Sequence, residues 1–188
     1  MSKYSNKTLN KTSFTIKDLE NLSGIKAHTI RIWEKRYDIF NPERSKTNIR
    51  SYDLEDLKKI LNISLLNKLK YKISLINKLT HEEVNNIVSD SASDLVQKRY
   101  KVNELMLAAL SFDPLVFNNT YRELATVYSF REIYLEIFVK LMEYIGIRWQ
   151  SSKITIAHGH FISNCIRQKV FSEIEKLNPT EKKKSDEV

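Results

Sequence analysis

The chain has 188 residues, of which 41% are apolar, with 3 glycines, 3 prolines and a formal charge of +8. That length covers one or two domains with real cores, and so little glycine and proline argues against turn-rich β architecture and for a mainly helical chain. No apolar run approaches the ~18–20 residues that a membrane helix needs, and a single cysteine, Cys165, excludes an internal disulfide.

The charge is unevenly placed. Residues 1–80 hold 17 Lys and Arg against 8 Asp and Glu, whereas residues 81–188 hold 14 against 15. A basic module beside a neutral one is the pattern of a nucleic-acid reader joined to something with another job. The polar start, residues 1–13, lacks the hydrophobic segment of a secretory signal. A cytoplasmic protein, at the nucleoid when bound to DNA, is expected.

Residues 1–12 have no apolar period and read as a flexible arm. Residues 13–80 read as one module. A first helix over about 15–22 turns Ile16, Leu19 and Leu22 inward, and Gly24 follows where a tight turn needs a positive φ. A second helix, about 27–37, buries Ile30, Trp33 and Tyr37 at three- and four-residue spacing. Its other face carries Lys26, Thr29, Arg31, Lys35 and Arg36. Helix, glycine turn and basic helix is the helix-turn-helix order, in which the second helix enters a major groove. Pro42 ends the helical run, and residues 43–52 fit a small two-stranded wing with Arg44, Lys46, Asn48, Arg50 and Tyr52 facing phosphates. Asp53 can cap a long apolar-faced helix from Leu54 to about Leu69, and a short helix over Leu75–Leu79 closes the module.

Residues 81–93 are polar and read as a connector containing a short helix from His81. No heptad repeat is sustained after it, so a long coiled-coil helix is not expected. Residues 94–177 read as a four-helix bundle: about 94–110, then from the Asp113-Pro114 start to about Tyr128, then about 130–149, then from a Thr155 cap to about Leu177. Residues 178–188 form a charged tail. Cys165 and His158 read as structural residues of the last helix.

The string Thr29, Ile30, Arg31, Trp33, Glu34, Arg36 and the wing string Asn48, Arg50, Tyr52 resemble the DNA-binding domain of the MerR family of transcription regulators, over about residues 13–80. Within that family, tryptophan at 33 followed by Arg36-Tyr37 looks closest to the cobalamin-dependent Car-type repressors. The resemblance implies a winged helix-turn-helix in which Lys26, His28, Thr29 and Arg31 read base edges or nearby phosphates. Trp33 and Tyr37 would orient the helix, with the Trp33 indole able to reach a phosphate, and Arg36 would join the DNA surface. Arg44, Lys46, Asn48, Arg50 and Tyr52 would clamp the flanking backbone. Double-stranded promoter DNA is the implied partner, bound by a homo-oligomer, at least a dimer.

The string from Trp149 to His160 resembles the helical cap of cobalamin-binding proteins, over about residues 100–176. There the resemblance implies that Trp149 packs on the upper corrin face, with Ile156 and His160 lining the pocket. Gly159 stands where that family has glutamate and Gln150 where light-sensing members have histidine. The lower half of such a site, a doubly wound domain with a D-x-H-x-x-G loop, is absent from residues 1–188. Cobalamin is therefore expected only if such a domain follows Val188, and none is expected on this chain alone. Three readings of the bundle stand. It is the upper half of a cobalamin site, a dimerisation or antirepressor-docking module, or (with no DNA role) a corrinoid carrier. No nucleophile with a base, carboxylate pair, metal-ligand cluster or phosphate-binding glycine loop is evident, so no enzyme is expected.

Overall fold

The structure, a computed structural model, describes residues 13–148 and 154–177. The expectations for the arm at 1–12, for Trp149 and for the tail at 178–188 lie outside those residues. The fold is mainly helical with one small antiparallel sheet.

The first module begins with α1 (Ile16–Ser23), whose start is fixed by a reciprocal cap. The Asp18 N–H donates to Thr15 Oγ1 at 3.2 Å, and the Thr15 N–H donates to Asp18 Oδ2 at 2.7 Å. Gly24 ends the helix in the left-handed region at φ 77°, where it donates its N–H to Glu20 O at 2.8 Å. The Ser64 hydroxyl donates to Ser23 O at 2.8 Å, tying this turn to α3 (Leu54–Lys68). The second helix, α2 (Ala27–Tyr37), buries Ile30 fully and rests Trp33 and Tyr37 on the core. The wing is β1 (Glu43–Arg44) paired with β2 (Arg50–Ser51), with Glu43 opposite Ser51 and Arg44 opposite Arg50. Phe14 and Tyr52 bridge by backbone hydrogen bonds of 2.8 and 2.9 Å, which anchor the start of the module beside the wing.

Asp53 caps α3 in a box with Asp56, as the sequence predicts. The next helix, α4, spans Ile73–Ile76 rather than Leu75–Leu79. Lys70 adopts φ 70° and reverses the chain early, so that Lys72 already serves as N-cap. Residues 81–93, expected to be a polar connector, instead contribute to the core. Thr80 and Glu83 cap α5 (His81–Ser89), which buries Val84 and Val88 and packs on α6 (Asp94–Ser111).

The bundle is built around α6, which packs against α3, α5, α7 (Pro114–Ala125), α9 (Val139–Arg148) and α10 (Ile156–Leu177). Asp113 caps α7 with Pro114 in its first turn, and the Leu115 and Val116 N–H groups donate to Asp113 Oδ1 at 2.9 and 3.0 Å. The third long helix is continuous but not uniform. It runs as α8 (Phe130–Glu132), a π-helical stretch over Ile133–Phe138, and α9. Ile133, Ile137 and Phe138 point inward from the π stretch, and Phe138 stacks against Phe117 and Tyr121 at 5.9 and 6.0 Å between ring centres.

The two modules share one hydrophobic core. α3 lies on α6, and the Tyr144 hydroxyl of α9 donates to the Leu22 carbonyl at the end of α1. Among the described residues no helix is long and apolar enough to cross a membrane.

Candidate nucleic-acid interface

The second helix offers two opposed faces because its apolar positions fall on one side of a 3.6-residue period. Lys26, His28, Arg31, Lys35 and Arg36 are exposed, and Thr29 is half-buried with its hydroxyl 3.3 Å from His28 Nε2. Lys26 serves as N-cap and its ammonium lies 3.3 Å from Glu20. Lys35 and Arg36 stand in the last turn, where the helix dipole favours cations.

Glu34 organises the interface. Its carboxylate accepts the Arg50 Nε–H at 3.1 Å and, on the other oxygen, the Tyr52 hydroxyl. Two residues of the wing are thereby latched to the recognition helix. Sequence reading placed Glu34 in the family string without giving it a role. The available signal was an acidic residue on the helix flank in an otherwise basic stretch, paired with basic and phenolic residues sixteen and eighteen positions later.

The latch corrects the expectation for Tyr52. Its side chain is only 1% exposed, so it fixes the wing instead of meeting a phosphate. Burial, followed by the Glu34 carboxylate, pushes its phenol far above the ordinary value, so it remains a neutral donor. Arg50 keeps a 27% exposed side chain, with its Nε committed to Glu34. Asn48 shapes the wing tip: it sits at φ 61°, donates its N–H to Ser45 O at 2.9 Å and accepts from Arg44 Nη1 at 2.8 Å. Lys46 is exposed at that tip.

Arg31, Arg44 and Arg50 come together around one cleft of about 500 Å³ between the recognition helix and the wing. Arg36 does not join them. It lies about 200° around the helix from Glu34, and its guanidinium is 5.5 Å from the Tyr37 ring centre. Trp33 rests half-buried against the core, which suits an orienting role.

At the bundle end, Ile156 is 59% exposed and His160 is exposed one turn further along α10. His158 faces inward. Its Nδ1 accepts the Thr155 N–H at 3.0 Å, its ring stacks on Phe112 at 4.4 Å, and burial lowers its pKa. The ring therefore caps the helix in its neutral form. Cys165 is buried, which raises its thiol pKa and keeps it in the inert form. Among the described residues no group of His, Cys, Asp and Glu could hold a metal ion.

Comparison with known proteins gives two family matches along the chain. Residues 14–83 match the family described as MerR HTH family regulatory protein, and residues 99–171 match the B12 binding domain. The chain is also 24% identical over 166 residues to the HTH-type transcriptional repressor CarH of Myxococcus xanthus, a match spanning 85% of this chain. It covers 56% of that repressor's length. The chain thus carries a MerR-type helix-turn-helix domain followed by a helical domain of the B12-binding type.

Proposed function

We propose that this chain is the DNA-reading and helical effector part of a sequence-specific transcription regulator, acting as a repressor like the relative it resembles. It works by binding and not by catalysis. What supports the reading most is the Glu34 latch, because it sets the wing beside the recognition helix and gathers Arg31, Arg44 and Arg50 around one cleft.

In this mechanism Arg31 reads a base edge, with guanine as the favoured partner of its guanidinium fork. Lys26, His28 and Thr29 meet phosphates or bases near the start of the helix, where backbone N–H groups and the dipole favour anions. Arg44, Lys46 and the free guanidinium nitrogens of Arg50 hold the flanking backbone. Two protomers bind two half-sites related by a two-fold axis.

The bundle end suits one-sided contact with a flat macrocycle: Ile156 offers apolar surface and His160 an imidazole on the same helix. A cobalamin held there needs a lower surface from a further domain, and would bring its own corrin and cobalt chemistry. Exposed Phe171, Ile174 and Leu177 further along α10 favour a second role for the bundle in protein contact, as a dimer or antirepressor surface.

Fluorescence anisotropy against promoter duplexes, titrated at several salt concentrations, tests the DNA reading. Log affinity is expected to fall with log salt by ~0.9 for each phosphate contact. Affinity insensitive to salt, or no binding to any duplex, would reject it.

A further inference from the structure

A second cleft, of about 400 Å³, lies between α6 and the helix that runs from the π stretch into α9. Its volume falls within the ~300–1,000 Å³ of small-molecule sites. The walls are mainly apolar, from Leu95 and Val102 on one side and Leu135 and Tyr144 on the other. Leu135 belongs to the π stretch, and π turns inside α-helices recur at functional sites. None of the cleft's residues is shared with the Ile156 and His160 end of the bundle.

Two polar groups at this cleft make no hydrogen bond or ion pair among the described residues. Asn103 is 8% exposed and lines the cleft, yet its amide makes no hydrogen bond among the described residues. The amide is not sealed from water, so it is open to a bonding partner that enters the cleft. One turn earlier, Arg99 stands exposed at the cleft with no ion pair among the described residues. The neighbouring cations are neutralised: Lys98 reaches Asp94 at 2.7 Å and Glu136 at 2.5 Å, and Lys140 reaches Glu143 at 3.3 Å. Lys68 of α3 adds to the positive field, since Arg99 contributes, after burial, to lowering its pKa.

We propose that this cleft is a ligand site for a small apolar monocarboxylate. The Arg99 fork takes the carboxylate through paired hydrogen bonds, Asn103 bonds a carboxylate or adjacent polar oxygen, and the apolar body lies along Leu95, Val102, Leu135 and Tyr144. Tyr144 also holds the Leu22 carbonyl of the DNA-binding module, so occupancy bears on the joint between the modules. The binding claim stands independently of the proposed DNA role. The regulatory consequence rests on that role.

Calorimetric titration of the whole chain with decanoate and with decylamine, which share a tail and differ in charge, tests the site. Decanoate is expected to bind at one equivalent, with decylamine at least tenfold weaker. Arg99→Gln should abolish that preference, and Asn103→Leu should weaken decanoate several-fold, each with unchanged helical circular dichroism. Leu135→Asp, at a partly exposed position, should block both probes and serves if Asn103→Leu fails to fold. Equal binding of the two probes, no binding, or full decanoate affinity in Arg99→Gln would overturn the proposal. Operator affinity measured with saturating decanoate is expected to change at least threefold. An unchanged value with decanoate bound would overturn the regulatory consequence alone, and loss of DNA binding without decanoate would instead strike the proposed function.

Discussion

In the proposed function, residues of one motif divide into those that touch DNA and those that hold them in place. Arg31 is exposed, so Arg31→Ala should leave stability within about 0.5 kcal/mol while costing about 1–3 kcal/mol of operator binding at one base position. Glu34→Ala is the opposite case. It strands the buried Tyr52 hydroxyl, which costs about 1–3 kcal/mol of folding stability, and it releases Arg50. Urea unfolding alongside duplex titration distinguishes the two variants, and equal stability losses would refute this division. His158 makes a further residue-scale prediction. Its pKa is lowered on folding by burial, so the unfolded chain binds the proton more readily. Stability should therefore fall as pH drops through about 6.5, the ordinary imidazole value. His158→Gln should flatten that part of the urea midpoint against pH, and an unaltered profile would remove His158 as its source.

Elements were legible where the signal is local. Asp53 and Asp113 announce helix starts because a capping side chain reaches only two or three residues, and the apolar stripe of α2 follows from its period. Three features were not legible. The Glu34 latch joins residues sixteen and eighteen apart, so Tyr52 looked like a phosphate contact until the fold buried it. The π stretch adds a residue to a turn without disturbing the apolar stripe that runs from Phe130 to Ile145. Residues 81–93 looked like a connector because Val84 and Val88 are too few to form a conspicuous pattern, yet both are buried against the rest. The wing carries its own prediction. Lys46→Gln at its exposed tip should reduce the salt slope by about 0.9 and weaken all duplexes alike, whereas sequence-dependent losses would place Lys46 on a base.

Across the whole molecule, the reader and the bundle share a core, through α3 against α6 and through Tyr144 to Leu22. That continuity predicts a single cooperative unfolding transition. In a Trp149→Phe background, Trp33 alone reports on the DNA-binding module by fluorescence, while far-ultraviolet circular dichroism reports all helices. The two midpoints should coincide, and a separate Trp33 transition would mean that the modules unfold independently. A shared core also gives an event in the bundle a physical route to the recognition helix.

The most direct measurement is selection of binding sites from a random duplex pool, run in parallel with the natural sequence and with Arg31→Ala. The natural chain should enrich a motif of two inverted half-sites, and the variant should lose preference at one base in each half. Enrichment of no motif, or of the same motif by both proteins, would contradict the assignment of α2 as the element that reads DNA.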